Sequence, residues 1–188
     1  VWKVVNGPQF PYTHLAVAVY DLDNANEDSE APKWTDLFPD LTEEELEDWG
    51  EKNAKNRKIV FTTQMKNVAE VLQKGVTTYP DIAVCNFMKA KHGYSKSYED
   101  FEKLNTKSIS PNSLRRGWSL AKRIDNLGTE VSWTHFTVDW FDKYSDFLKA
   151  RSGPSNDWAS DANYKKFMKL RDLTHTVVFR KFIFLNKE

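Results

Sequence analysis

Four basic side chains and one hydroxyl recur within nine residues of this sequence, and their chemistry suits phosphate. Arg presents planar paired donors that match phosphate oxygens, while Lys contributes a point charge. At the 100° step of an α-helix these residues fall on one arc, and the apolar residues fall on the other. We therefore predict an amphipathic helix over 113–127 whose basic face binds a nucleic-acid backbone. The predicted contacts are Arg115, Arg116, Ser119, Lys122 and Arg123, with Lys107 just upstream.

The alternative for this helix is an ordinary surface element whose cations pair with Asp or Glu elsewhere. Basic residues also alternate with aromatic ones at 89–96 and 164–167. Cations beside aromatic faces hold single strands without reading their bases, so single-stranded nucleic acid is the expected partner class. For 89–96 the alternative is a helix end, where Lys and His complement the helix dipole.

The segment 17–24 reads VAVYDLDN, a hydrophobic run followed by Asp-x-Asp. It resembles the first motif of the haloacid dehalogenase superfamily, which implies Asp21 as nucleophile, Asp23 as acid/base and Mg²⁺ beside them. The Thr that follows in that motif is replaced, since Ala25 and Asn26 stand there. The alternating strands and helices that would position Mg²⁺ are also missing from the later pattern. A magnesium-dependent phosphohydrolase is therefore our third hypothesis.

Other chemistry-bearing residues give no recognisable site. The four histidines are scattered, and His135 and Asp139 are predicted to pair at i, i+4 on a helix surface. The chain lacks metal-ligand spacing and phosphate-cradling glycine loops, so we predict no catalytic residue, metal or cofactor. The single cysteine, Cys85, lies in an apolar run and is expected to be a buried thiol. One cysteine is compatible with a reducing compartment or a virion, and the localisation is otherwise unknown.

The pattern along the chain predicts a single α+β domain over 1–188, predominantly helical, with about six helices. The N-terminal strand 13–20 and the C-terminal strand 176–185 are expected to pair in a small sheet. Between them lie an acidic loop at 21–34 and a helical body at 42–173, which begins with a Thr42–Glu45 capping box. Helices are expected at 42–55, 63–75, 79–93, from 97, at 110–127, at 134–150 and from 160, with a short strand at 58–61. The expected core includes Trp118, Ile124, Phe136, Trp140, Phe167 and Val177.

Charge is strongly segregated although 27 basic and 27 acidic residues balance. Residues 1–51 hold 2 basic and 13 acidic residues (2 − 13 = −11), and residues 52–188 hold 25 and 14 (25 − 14 = +11). Such a split indicates polyanion binding or an electrostatic contact. The acidic segment is a solvated tail, folds over its own basic body, or meets a neighbouring copy's basic face in a head-to-tail assembly.

The preferred hypothesis is a non-enzymatic, self-assembling structural protein that binds a nucleic-acid backbone, such as a viral coat or nucleocapsid subunit. Its copies would associate through the acidic segment 21–51. The second hypothesis is a protein-interaction module such as a secreted effector. No run approaches the roughly 20 apolar residues of a spanning helix, so no membrane partner is expected.

Overall fold

Antiparallel strands hold more of the described residues than helices do. Of the residues that the structure describes, 37% lie in strands and 31% in helices, so the predicted predominantly helical fold is wrong. The computed structural model describes residues 1–6, 13–17, 39–59, 62–125, 132–152 and 162–181. These residues form two units, one drawn from 1–16 and 63–188 and the other from 17–62.

The larger unit is built on one seven-stranded sheet with the order β2-β1-β7-β4-β6-β5-β3. All neighbouring strands are antiparallel. In chain order the elements are β1 (Trp2–Asn6), β2 (His14–Leu15), α1 (Glu43–Asn56), β3 (Met65–Leu72), β4 (Ile82–Ala90), α2 (Ser95–Asn105), β5 (Arg115–Arg123), β6 (His135–Phe141), α3 (Tyr144–Ser152), α4 (Ala162–Leu170) and β7 (Arg171–Lys181).

Two of the three connections among strands β4, β5, β6 and β7 skip a strand, while β5 and β6 are neighbours in the sheet. β4 is followed by α2 and then by β5, yet β6 lies between β4 and β5 in the sheet. β6 is followed by two helices and then by β7, with β4 between them. This is the connectivity of the split β-α-β motif. Along the chain, α2 connects β4 to β5, and α3 and α4 connect β6 to β7. In each case the two connected strands are separated in the sheet by one other strand.

The two ends of the chain meet in the sheet, although not through the expected residues. β1 pairs with β7, with Lys3 opposite Arg180. The expected strand 13–20 is described only as far as Val17 and reduces to β2, which pairs with β1 rather than with β7. β7 begins earlier than the predicted strand 176–185, at Arg171.

One face of the sheet packs against itself because the sheet curls into a half-barrel. Its central side chains include Val177 and Phe179, which are fully buried. Val4 of β1 packs on this cluster from one end of the sheet, and Met65 and Leu72 of β3 pack on it from the other. β1 and β3, which lie five positions apart in the sheet order, therefore share one apolar core.

The other face is covered by helices α2, α3 and α4. Tyr98 of α2 and Phe167 of α4 join a cluster with Trp118 and Leu120 of β5, and Phe147 of α3 joins a second cluster. Of the six predicted core residues, Trp118, Trp140 and Val177 are buried, Phe136 and Phe167 are half-buried, and Ile124 is 47% exposed, which contradicts its prediction.

Four predicted helices fail for identifiable reasons. In place of the predicted helices 63–75, 79–93 and 110–127 the chain forms β3, β4 and β5, and 134–150 divides into β6 and α3. In β3 a bulge at Val68 interrupts the alternation of faces, which leaves apolar residues at three-residue spacing and imitates a helix. β4 is buried on both faces, and a continuous apolar run does not distinguish a strand from a buried helix.

In the smaller unit, α1 begins as predicted. Glu45 N donates to Thr42 Oγ1 at 3.2 Å, and Thr42 N donates to Glu45 Oε2 at 2.8 Å, which completes the capping box. The Thr42 backbone hydrogen bond also lowers the pKa of Glu45. Residues 57–59 form no strand, and the rest of the predicted strand 58–61 lies outside the described residues, as does the acidic loop 21–34.

Candidate functional site

Strand β5 replaces the helix predicted over 113–127, and the single basic face predicted there is therefore wrong. Successive residues of a strand point to opposite faces of its sheet. Lys122 lies on the helix-covered face, where its Nζ donates to Glu99 Oε1 at 3.0 Å. Ser119 lies on the opposite face and accepts from Trp140 Nε1 at 2.9 Å. The predicted contacts are thus distributed over both faces.

Each of the four β5 cations faces a carboxylate. Arg123 makes a bidentate contact, and its guanidinium also lies 4.8 Å from the centre of the Trp133 ring. A phosphate at β5 would therefore compete with a carboxylate that is already in place. The pairs are Arg115–Asp139, Arg116–Asp142, Lys122–Glu99 and Arg123–Asp125, with nitrogen–oxygen distances of 2.9–3.1 Å.

The predicted helix-surface pair of His135 and Asp139 is wrong, because both residues lie on β6. Asp139 accepts instead from Arg115 Nη1 at 2.9 Å and from Asn86 Nδ2 at 3.4 Å. Burial raises the pKa of Asp139, although Arg115 partly opposes this change. His135 is fully buried, and its Nε2 lies 3.3 Å from Glu99 Oε1.

Helices α2 and α4, together with the residues that flank α2, carry more exposed lysines than exposed carboxylates. We call this patch the lysine surface. Seven lysines are exposed there against two exposed or half-exposed carboxylates among the described residues, Asp100 and Asp172. Lys107, one of the predicted contacts, is part of it. The lysine surface consists of Lys91, Lys96, Lys103, Lys107, Lys165, Lys166 and Lys169.

Aromatic packing holds the two helices side by side. The rings of Phe101 in α2 and Phe167 in α4 lie 4.6 Å apart, edge to face. The turn that precedes α2 is also bonded to the C-terminal end of α4, because Lys91 N donates to Leu170 O at 2.9 Å. Both helices lie on one face of the sheet, so their exposed lysines lie on the same side of the sheet.

Beneath this surface, α2 points an acidic residue toward the sheet. Glu99 Oε1 accepts from Lys122 at 3.0 Å and from Ser95 Oγ at 3.2 Å, and it faces His135. Burial alone would raise the pKa of Glu99, but these hydrogen bonds lower it below its ordinary value. Burial lowers the pKa of His135, which favours the neutral imidazole.

A second inward acid of α2, Glu102, lies one turn further on. It accepts from the hydroxyl of the fully buried Tyr98 at 2.8 Å. Burial raises the pKa of Glu102 to about 7. The positive charge of Arg171 partly opposes this rise in the pKa of Glu102. Arg171 is 7% exposed, and its Nε and Nη1 find no hydrogen-bond partner within the described part of the chain. Two of the three acids of α2 thus face the sheet, and the third, Asp100, pairs with Lys96 at the surface.

A cleft of about 330 Å³ lies at the other end of the sheet, beside the loop between β3 and β4. Its cations are paired with acids on its own rim: Lys181 with Asp81 at 3.0 Å, and Arg116 with Asp142 at 3.1 Å. The cleft is therefore balanced in charge, unlike the lysine surface. Among the described residues, no three His, Cys, Asp or Glu side chains are placed to hold a metal ion.

One sequence signal for the lysine surface is the composition of α4. α4 contains three lysines and no acidic residue, so its charge has no partner within the helix. The basic and aromatic segments 89–96 and 164–167 are far apart in the sequence, and nothing in the sequence shows that they meet. Asp21 and Asp23 lie outside the described residues. Cys85 is buried, as predicted.

Within the described parts of the chain, no helix is long and apolar enough to cross a membrane. No protein-family model, curated protein or solved structure matches this chain.

Proposed function

We propose that this protein is a non-enzymatic structural subunit that assembles with its own copies and holds a nucleic-acid backbone on its lysine surface, as a viral coat or nucleocapsid subunit does. The observation that carries the proposal is the set of exposed lysines on α2 and α4, which outnumber the carboxylates near them. Clustered lysines on one face are the electrostatic requirement for backbone binding, which does not depend on base sequence.

The cost of these lysines to the fold supports a ligand. Lys165 and Lys169 are four residues apart on α4, and Lys166 and Lys169 are three apart, so each pair lies on one side of the helix. Like charges at these spacings destabilise a helix by a few tenths of a kcal/mol per pair. Among the described residues no acid of α4 relieves this repulsion. A bound polyanion would relieve it.

We favour the lysine surface over the β5 residues as the phosphate site because the β5 cations already contact carboxylates. Arg115 and Lys122 would have to leave Asp139 and Glu99, which are poorly solvated carboxylates. Lys165 and Lys166 are exposed, and neither is paired with a carboxylate of the residues that the structure describes. Phosphate contacts on α4 would therefore displace only water and counterions.

A titration of labelled oligonucleotide tests this proposal. Wild type is compared with the triple variant Lys165→Ala/Lys166→Ala/Lys169→Ala at about 50 and 200 mM salt. The triple variant should lower the slope of log K against log salt by about two to three, since each phosphate contact contributes roughly 0.7–0.9. The matched control removes three exposed lysines elsewhere in the larger unit: Lys3→Ala, Lys74→Ala and Lys143→Ala.

Three results would contradict the proposal. Wild type that binds no oligonucleotide at the lower salt rules out backbone binding. An equal loss in the control variant shows that net charge alone matters. If Arg116→Ala reduces oligonucleotide affinity as much as the lysine triple variant does, the phosphate contact lies on β5 instead. Binding of an acidic protein in place of any oligonucleotide would favour the interaction-module alternative.

Self-association forms the second half of the proposal. The acidic segment 21–51 includes the first part of α1, where Glu43, Glu44 and Glu47 are exposed. We expect this segment of one copy to contact a basic face of a neighbouring copy, in a head-to-tail arrangement. The variant Glu43→Gln/Glu44→Gln/Glu47→Gln spares the capping residue Glu45 and should reduce association in sedimentation velocity at low salt. Unchanged association would contradict this contact.

A further inference from the structure

An exposed tyrosine stands at the edge of the lysine surface and has no role in the fold that the described residues reveal. Tyr94 is 49% exposed. It occupies the N-cap position of α2, and its side chain makes no capping hydrogen bond there. Ser, Thr, Asp or Asn at this position would stabilise a helix by about 1 kcal/mol relative to a residue that does not cap. A half-exposed aromatic residue at a position that favours a capping residue is a local exception of the kind that proteins accept at functional sites.

The backbone around Tyr94 is fixed. Gly93 has a φ of +80°, in the left-handed region that favours glycine. Tyr94 N donates to Lys91 O at 2.9 Å, and Tyr98 N donates to Tyr94 O at 2.8 Å. The ring is therefore held on a short turn between β4 and α2. Its attachment does not need to be ordered when a ligand binds, which lowers the entropic cost of contact.

Cations surround this position. Lys91 lies three residues before Tyr94 and Lys96 two residues after it. Lys91 also contacts the end of α4, where Lys169 is exposed. An exposed ring with a lysine on either side of it in the sequence combines the two elements that proteins use for single strands: charges that follow the phosphates and a flat face on which a base stacks.

We propose that the ligand of the lysine surface is single-stranded nucleic acid and that one of its bases stacks on the ring of Tyr94. This inference rests on the proposed function above. A duplex offers its phosphates to lysines but keeps its base faces stacked on one another. Tyr94 can add affinity only for a strand whose bases are unpaired. It therefore gives the site a preference for single strands over duplexes, which the lysines alone cannot give.

The test compares one RNA strand of about 12 nucleotides with its blunt duplex, a length within the usual range of single-strand sites. Tyr94→Ala should weaken binding of the single strand by about 5- to 150-fold, the range measured for loss of one stacked base. It should leave duplex binding and the salt slope unchanged, because no phosphate contact is lost. Tyr94→Phe and Tyr94→Trp should retain binding. A single DNA strand of the same sequence should respond in the same way.

The matched control is Leu104→Ala, which truncates another exposed apolar side chain of α2, 63% exposed. It should bind like wild type. If wild type binds neither probe, the proposed function fails and this inference fails with it. If wild type binds both probes and Tyr94→Ala binds the single strand normally, only the stacking inference is overturned. Equal loss on the single strand and the duplex also overturns it, since stacking cannot explain a duplex effect.

Discussion

The side chain of Lys91 donates a hydrogen bond to the main-chain oxygen of Met168, with 2.7 Å between Nζ and O. This contact joins the turn after β4 to the last turn of α4, across 77 residues of sequence. It brings together two basic and aromatic segments that are unrelated along the chain. Because the bond uses only one of the three Lys91 donors, the ammonium group keeps donors for a ligand.

The Arg115–Asp139 pair should contribute to stability rather than to binding. Arg115→Ala leaves the Asp139 carboxylate with the longer contact from Asn86 at 3.4 Å. Since both side chains of the pair are partly exposed, we expect a loss of about 1–3 kcal/mol, below the cost of breaking a fully buried pair. Urea unfolding measures it. The double variant Arg115→Ala/Asp139→Asn should recover part of the loss, whereas an unchanged urea midpoint in Arg115→Ala would contradict a structural role.

Glu102 should make stability fall as pH rises. Its pKa is 4.5 in an exposed site and about 7 in the fold, because it is buried. Between these values the folded state holds a proton that the unfolded state has released, so rising pH favours unfolding. The difference between Glu102→Gln and wild type should therefore shift in favour of Gln by up to about 3 kcal/mol between pH 5 and 8.

This comparison isolates Glu102 from the histidines. Burial lowers the pKa of His135 and His175 below 6.5, so these residues lower stability as pH falls through that value. That effect is opposite in sign and is common to wild type and Glu102→Gln, so it cancels in the difference. A difference that does not change with pH would show that Glu102 is ionised in the fold at all pH values tested.

Gly117 should not tolerate a side chain. A Cβ at this position would lie 2.6 Å from Leu72 Cδ2 and 3.1 Å from Trp140 Cδ1. Leu72 can move, but Trp140 is buried and bonded to Ser119, so Gly117→Ala should cost about 1–3 kcal/mol. Gly50→Ala in α1 is the contrast, since nothing lies within 4 Å and helix propensity should give a gain of about 0.5–1 kcal/mol. Thermal unfolding should show shifts of opposite sign.

The thiol of Cys85 should report on opening of the sheet. It is 2% exposed, and burial raises its pKa well above the ordinary value. Because this is the only cysteine of the chain, modification by Ellman's reagent has a single source. We expect no reaction in the native protein and complete reaction in denaturant. Rapid reaction under native conditions would mean that β4 is accessible.

Local signals in the sequence were sufficient for three features. The Thr42–Glu45 capping box, the buried thiol and the strand at β7 each depend on residues close in sequence. The helices α2 and α4 also lie near their predicted starts. In each case a short-range rule, such as capping or β-branched composition, agrees with the tertiary structure.

The sheet and the site could not be read in the same way. In β5, Trp118, Leu120 and Lys122 alternate with Ser119 and Ala121, but the same residues also divide into two arcs at helical spacing. Only the pairing of β5 with β3 and β6 decides between these periods. The packing of Phe101 against Phe167 brings the lysines of α2 and α4 onto one side of the protein, and no local sequence pattern predicts that contact. The helix predicted at β5 was wrong, and the lysine surface was not predicted, for the same reason: tertiary contacts, rather than local sequence preference, determine the structure there.

The position of β7 has a consequence for synthesis on the ribosome. β7 is the last described strand, yet it lies between β1 and β4 in the sheet. About 175 residues separate Asn6 from Lys181. At a synthesis rate of about 5–20 residues per second, β7 is therefore completed roughly 9–35 s after β1. Until then β1 can pair only with β2, and a two-stranded hairpin is marginally stable in water. Nascent chains would thus present an open β1 edge, which a chaperone or a second nascent chain could reach before β7 closes the sheet.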